Sequence, residues 1–196
     1  MTEKATMQAI AALVPVGSRV LDLGCGDGTL LDYLQRERAC SGYGIEIDDA
    51  NVLACARRGV NVIQLNLEEG LAMFADNSFD VVLQIDTLPH LRNAETMLRE
   101  TARVGRSGIV AFPNFAHWPN RLSVLLGRMP VTRRLPYQWY DTPNIRVGTY
   151  ADFAVLAQKN QLRTLDAFGL QNGQIVRFWP NLCASTAVFH FERAAG

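Results

Sequence analysis

A chain of 196 residues, 48% hydrophobic and 19% charged, carries enough apolar side chain for a substantial core and is not a disordered tail. Nineteen basic and nineteen acidic residues cancel, which argues against a nucleic-acid-binding surface. No apolar run reaches the roughly 18 residues of a membrane span and the first residues lack a basic signal-peptide start, so a cytoplasmic protein with one domain over 1–196 is expected.

The first two thirds alternate short apolar runs with helical patterns, which predicts βαβ units and a parallel sheet. Strands are expected at 19–23, 42–47, 60–65, 79–85 and 108–112. Helices are expected at 29–38, with Leu30, Leu31 and Leu34 on one side, and at 51–58, stopping at Gly59. Another is expected at 94–103 behind the N-cap Asn93, and a last one from the capping residue Thr149 to about Asn160. Two closing strands, 162–168 and 185–192, have no helical pattern between them, which suggests an antiparallel hairpin at the sheet edge.

The segment 113–148 breaks this rhythm as an insertion. It has five prolines, Trp118 and Trp139, and five arginines against one acid, Asp141. Long loops of this kind are usually functional. Within it WPNRLSVLLG reads as a short helix with Leu122, Leu125 and Leu126 on one face.

The chemistry centres on VLDLGCGDG, residues 20–28. A strand running through closely spaced glycines into a helix is where an open α/β sheet binds its ligand. Gly24 and Gly26 fit the first two positions of a dinucleotide fingerprint, but Thr29 stands at the third, and no GK[ST] follows for a P-loop. Asp22 would repel a pyrophosphate and suits an ammonium group. Glu46, at the end of the second strand, can accept hydrogen bonds from ribose hydroxyls. A phosphate-free adenosine with an amino-acid tail meets all three demands: S-adenosylmethionine, or its product S-adenosylhomocysteine.

At these residues the chain resembles the class I S-adenosylmethionine-dependent methyltransferases, a Rossmann-like three-layer sandwich. The resemblance implies a seven-stranded, mostly parallel sheet with its last strand antiparallel. It implies that Asp22, Gly24 and Gly26 line the methionine and ribose part and that Glu46 holds the ribose. Ile47 would pack on the adenine, Asn66 and Leu67 would lie beside its amino group, and Gln84 would stand at the ligand's amino group. RVLDLGCGDGTLLDYL, GYGIEIDDANVLACARRGVNVIQ, RVGRSGIVAFPNFAHW, GRMPVT and LPYQWYDTPNI further resemble the MetW family of methionine biosynthesis proteins. That resemblance implies a partner, homoserine O-acyltransferase. The chain departs from the pattern at RVGRSG, a shortened turn before the fifth strand, and at His90, where Gln is expected.

Methyl transfer often uses a general base. His90, after the fourth strand, is the leading candidate, ahead of Asp86 and His117, though with no visible partner it reads more readily as a surface or capping histidine in a loop. His190, inside a strand pattern, reads as structural. Cys25, Cys40, Cys55 and Cys183 form no CxxC pair, and the three histidines are isolated, so no metal is expected. The insertion reads as a partner surface through Trp118, Arg121, Tyr137 and Trp139, as a lid over a small-molecule acceptor, or as packing on the sheet edge. The two functional readings that follow are a cofactor-binding partner protein and an active methyltransferase.

Overall fold

A computed structural model describes residues 2–194. The apolar runs form strands β1 (Arg19–Leu23), β2 (Ser41–Glu46), β3 (Val62–Gln64), β4 (Phe79–Ile85) and β5 (Gly105–Pro113). These are joined by α2 (Thr29–Arg38), α3 (Asp49–Arg58) and α4 (Ala94–Val104). A helix α1 (Thr2–Ala11) precedes them. Beyond β5 come α5 (Trp118–Leu125), α6 (Tyr150–Lys159), β6 (Leu162–Gln171), β7 (Gln174–Val176), α7 (Pro180–Cys183) and β8 (Thr186–Arg193).

The strands make one sheet in the order β3-β2-β1-β4-β5-β8-β6-β7. β1 to β5 are mutually parallel, and β8 runs antiparallel between β5 and β6. This is the expected Rossmann-like sheet with one strand more, because the three-residue β7 pairs with β6. The closing strands do pair antiparallel, but not as an edge hairpin. β7 and α7 lie between them in the chain, and β7 forms the edge.

Alternate residues of each central strand bury on opposite faces, as a parallel sheet covered on both sides requires. Val81, Leu83, Ile109, Ala111 and Val188 pack with Ile10, Leu31, Leu34 and Cys55 from α1, α2 and α3. Val110, Phe112, Phe189 and Phe191 pack with Leu98 of α4 and Phe153 of α6. Full burial of Leu31 and Leu34 contributes about 1.5–3 kcal/mol each, which holds α2 behind the glycine turn. The shortened RVGRSG stretch has a simple cause: α4 ends at Val104 and β5 begins at Gly105, with no loop between. Among the described residues no helix is long and apolar enough to cross a membrane.

The chain order reverses between β1 and β4: the path from β1 leads to β2 on one side, and the path from β3 returns to β4 on the other. Ligands of open α/β sheets bind at such a switch point, outside the carboxyl ends of the strands. The glycine turn follows β1 at that place.

Candidate functional site

Gly24 and Gly26 both take left-handed backbone angles, with φ of +74° and +56°. A Cβ on Gly24 would come within 2.7 Å of the Thr87 hydroxyl, which donates to the Leu23 carbonyl at 2.6 Å. A Cβ on Gly26 would meet no protein atom within 4 Å. The turn is fastened from three sides. Glu46 Oε2 accepts from the Gly26 N–H at 2.8 Å, and Oε1 accepts from the N–H groups of Ile47 and Asp48. The Cys55 thiol donates to the Gly26 carbonyl at 3.2 Å and lies 3.8 Å from the Cys25 sulfur. Both thiols are pushed up by burial and stay protonated.

Asp27 occupies the amino end of α2. Its Oδ1 accepts from the Thr29 N–H at 3.1 Å and from the Thr29 hydroxyl, and Arg58 pairs with its other oxygen at 2.6 Å. The amino end of α2, where a phosphate would otherwise bind, already holds a carboxylate. That carboxylate disfavours a phosphate at this turn.

Two cavities meet at Gly24, Ile85 and Asp86. The smaller, about 490 Å³, is lined by Glu46, Ile47, Asn66, Leu67 and His90. The larger, about 540 Å³, passes Asp22, Gly26 and Thr29 and continues beneath His117 and Thr132–Arg134. It is also lined by Thr6, Met7 and Ile10 of α1. The sequence reading missed that wall, because among the described side chains of α1 only Ile10 and Ala11 are fully buried, too few to stand out as a stripe.

Asp22 is 3% exposed, and its Oδ1 has no hydrogen-bond partner. Burial, and then repulsion from Glu46, pushes its carboxyl from the ordinary 3.8 up to about 7. The folded chain therefore holds this proton more tightly than the unfolded chain. Its contribution to stability is complete below about pH 4 and declines as the pH rises to about 7, by roughly 4 kcal/mol in all. Asp22→Asn is expected to remove that decline. Urea unfolding at pH 4, 6 and 8 should show the variant gaining on the wild type as pH rises, and a constant difference would sink this account of Asp22. A ligand ammonium set against Oδ1 would supply the missing partner and release the proton.

The smaller cavity gathers the residues expected around an adenosine. Ile47 is 59% exposed at its rim and offers an apolar surface. Leu67 is buried in its floor. Asn66 caps a 3-10 turn, its carbonyl accepting from the Glu68 N–H at 3.0 Å. Of the roughly four acceptor positions of the Glu46 carboxylate, three are taken by backbone N–H groups. His90 also lies here, its Nδ1 donating to the Pro143 carbonyl at 3.1 Å. It is not on the wall of the larger cavity. His117 is, and burial lowers its pKa and keeps its imidazole neutral.

Gln84 is not brought to either cavity. It shares the sheet face of Val82, and its amide donates to the Thr101 hydroxyl on α4. The neighbouring Ile85 and Asp86 line the site in its place.

The β5–α6 segment leaves and returns at one point. Asn114 bridges Gly148, and its amide reaches the carbonyls of Pro180, Asn181 and Ala184. Arg134 pairs with Asp86 at 2.5 Å, and the N–H groups of Ile145 and Arg146 bond the Pro89 carbonyl. The inner side thus covers the site. The outer side is apolar and open: Trp118, Leu122, Tyr137 and Tyr140 are exposed, Trp139 to 71% and Leu125 to 82%. Arg121 bonds the Ala116 carbonyl at 2.6 Å beside them. Among the described residues no three His, Cys, Asp or Glu side chains stand together as metal ligands, and the four cysteines form no disulfide.

Comparison with known proteins agrees with this fold. Solved structures share the fold: an S-adenosylmethionine-dependent methyltransferase of Thermotoga maritima (TM-score 0.70, 18% identity, 96% of this chain and 87% of that one) is one. Another comes from a complex of the Haloferax volcanii Trm112 methyltransferase activator (TM-score 0.74, 15% identity, 97% and 90%). The bifunctional methionine biosynthesis protein MetXA/MetW of Rhodopirellula baltica is 38% identical over 95% of this chain. The chain covers 32% of that relative, and spans about a third to a half of the length of the curated relatives it matches. The family model for the methionine biosynthesis protein MetW matches residues 4–191, so the chain belongs to the MetW family.

Proposed function

We propose that the chain binds S-adenosylmethionine at the glycine turn and supports homoserine O-acylation by associating with homoserine O-acyltransferase. The observation that carries the cofactor reading is the cavity around Gly24 and Gly26. A buried, unpartnered Asp22 oxygen lies at one side, Glu46 at the other, and Asp27 already fills the helix end. Asp22 would meet the ammonium, Glu46 a ribose hydroxyl, and Ile47 and Leu67 the adenine. The partner reading is supported by the open apolar face of the β5–α6 segment, since large exposed aromatic patches mark association sites. The Rhodopirellula relative, by name, joins MetXA and MetW in one chain.

Trp118→Ala with Trp139→Ala is expected to abolish co-purification with the acyltransferase while leaving cofactor affinity within about threefold. Both rings are more than half exposed, so circular dichroism should report a thermal midpoint close to that of the wild type. Retained association in the folded double variant would contradict the assigned surface.

A second reading is favoured by one feature: the larger cavity continues beyond the glycine turn to a neutral His117, leaving room for a small methyl acceptor. Labelled S-adenosylmethionine incubated with cell extract separates the two. A methylated product supports the enzyme; binding without product supports the partner protein.

A further inference from the structure

The far end of the larger cavity contains two buried nitrogens without partners. Arg134 gives one Nη2–H to Asp86, but its Nε–H is buried with no acceptor. His117 is 8% exposed, and its Nε2 is also unpartnered. The two residues come from different stretches of the β5–α6 segment and line the same cavity. Buried nitrogens in this state destabilise a fold unless a hydrogen-bond partner arrives. We propose that this end of the cavity is a carboxylate-binding subsite, in which Arg134 grips the anion and His117 lies beside it.

The chemistry selects a carboxylate. A guanidinium offers a planar Nε–Nη2 edge that matches carboxylate oxygens; here Nη2 already donates to Asp86, and Nε–H beside it is unused. The cavity therefore carries the buried acid Asp22 with Asp27 beside the glycine turn and, farther along, the Arg134 guanidinium paired with Asp86. A molecule with an ammonium group and a carboxylate complements both. Two sources fit: the amino-acid tail of the cofactor itself, or a second acid bound beside it. The proposal rests on the S-adenosylmethionine reading of the glycine turn.

Calorimetry with three probes tests it: S-adenosylhomocysteine, 5′-methylthioadenosine, which lacks the amino-acid tail, and benzoate added to protein saturated with S-adenosylhomocysteine. If the carboxylate is the cofactor's own, Arg134→Gln weakens S-adenosylhomocysteine about tenfold or more and leaves methylthioadenosine within twofold. If it belongs to a second molecule, Arg134→Gln leaves S-adenosylhomocysteine within twofold and removes benzoate binding. Asp86→Asn, which keeps the guanidinium and makes its contact at residue 86 neutral, retains carboxylate binding in either case. Unchanged affinity for every probe in Arg134→Gln, or equal losses in Arg134→Gln and Asp86→Asn, overturns the subsite. Failure of wild-type protein to bind methylthioadenosine overturns the cofactor reading, and this proposal falls with it.

Discussion

Glu46→Ala is expected to weaken S-adenosylmethionine binding by about 1.5–3 kcal/mol, roughly ten- to hundredfold, and to lower stability by about 2–4 kcal/mol. The two losses have one origin. The carboxylate receives the Gly26 N–H from across the turn and two N–H groups at the end of its own strand. Its remaining acceptor position is the one open to a ribose hydroxyl. Removing it loosens the glycine turn and leaves three backbone donors without partners inside a cleft. Glu46→Gln keeps a carbonyl in reach and should recover part of the stability. Calorimetric titration with denaturant unfolding on the same samples checks both effects; a variant with full affinity would show that the ribose lies elsewhere.

Gly26→Val should abolish binding in a protein that still folds. The added Cβ meets no protein atom within 4 Å, so the isopropyl group enters the cavity that the ligand needs. Left-handed backbone at a branched residue costs about 1–2 kcal/mol, which a fold of this size tolerates. Gly24→Val should abolish binding too, but its Cβ would press on Thr87 and break the hydroxyl contact to Leu23. Its loss of stability should therefore be the larger. A folded Gly26→Val protein, verified by circular dichroism, that still binds the cofactor would remove the glycine turn from the site.

What the sequence made legible was local. β1, β4 and α2 lie at the expected residues, because apolar runs and a glycine-bounded helix specify them without help from distant neighbours. Glu46 could be placed because a strand end fixes it relative to the turn. Gln84 could not, because its direction depends on the phase of the strand: one residue separates the face toward α4 from the backbone that lines the cavity. β7 and α7 are three and four residues long, below the length at which a period can be read. Arg134 and His117 meet at one cavity through a segment whose path is set by distant anchors, Asn114 and the Pro89 carbonyl among them. The helix α5 was legible, with its Leu122 and Leu125 face, but not that this face would remain uncovered.

Titration of S-adenosylmethionine into the purified chain by calorimetry tests the central claim most directly. The account predicts saturable binding at one site per chain in the wild type, proton release near pH 6 as Asp22 meets the ammonium, and no binding in folded Gly26→Val. A folded wild-type protein that takes up no S-adenosylmethionine and no S-adenosylhomocysteine would contradict it.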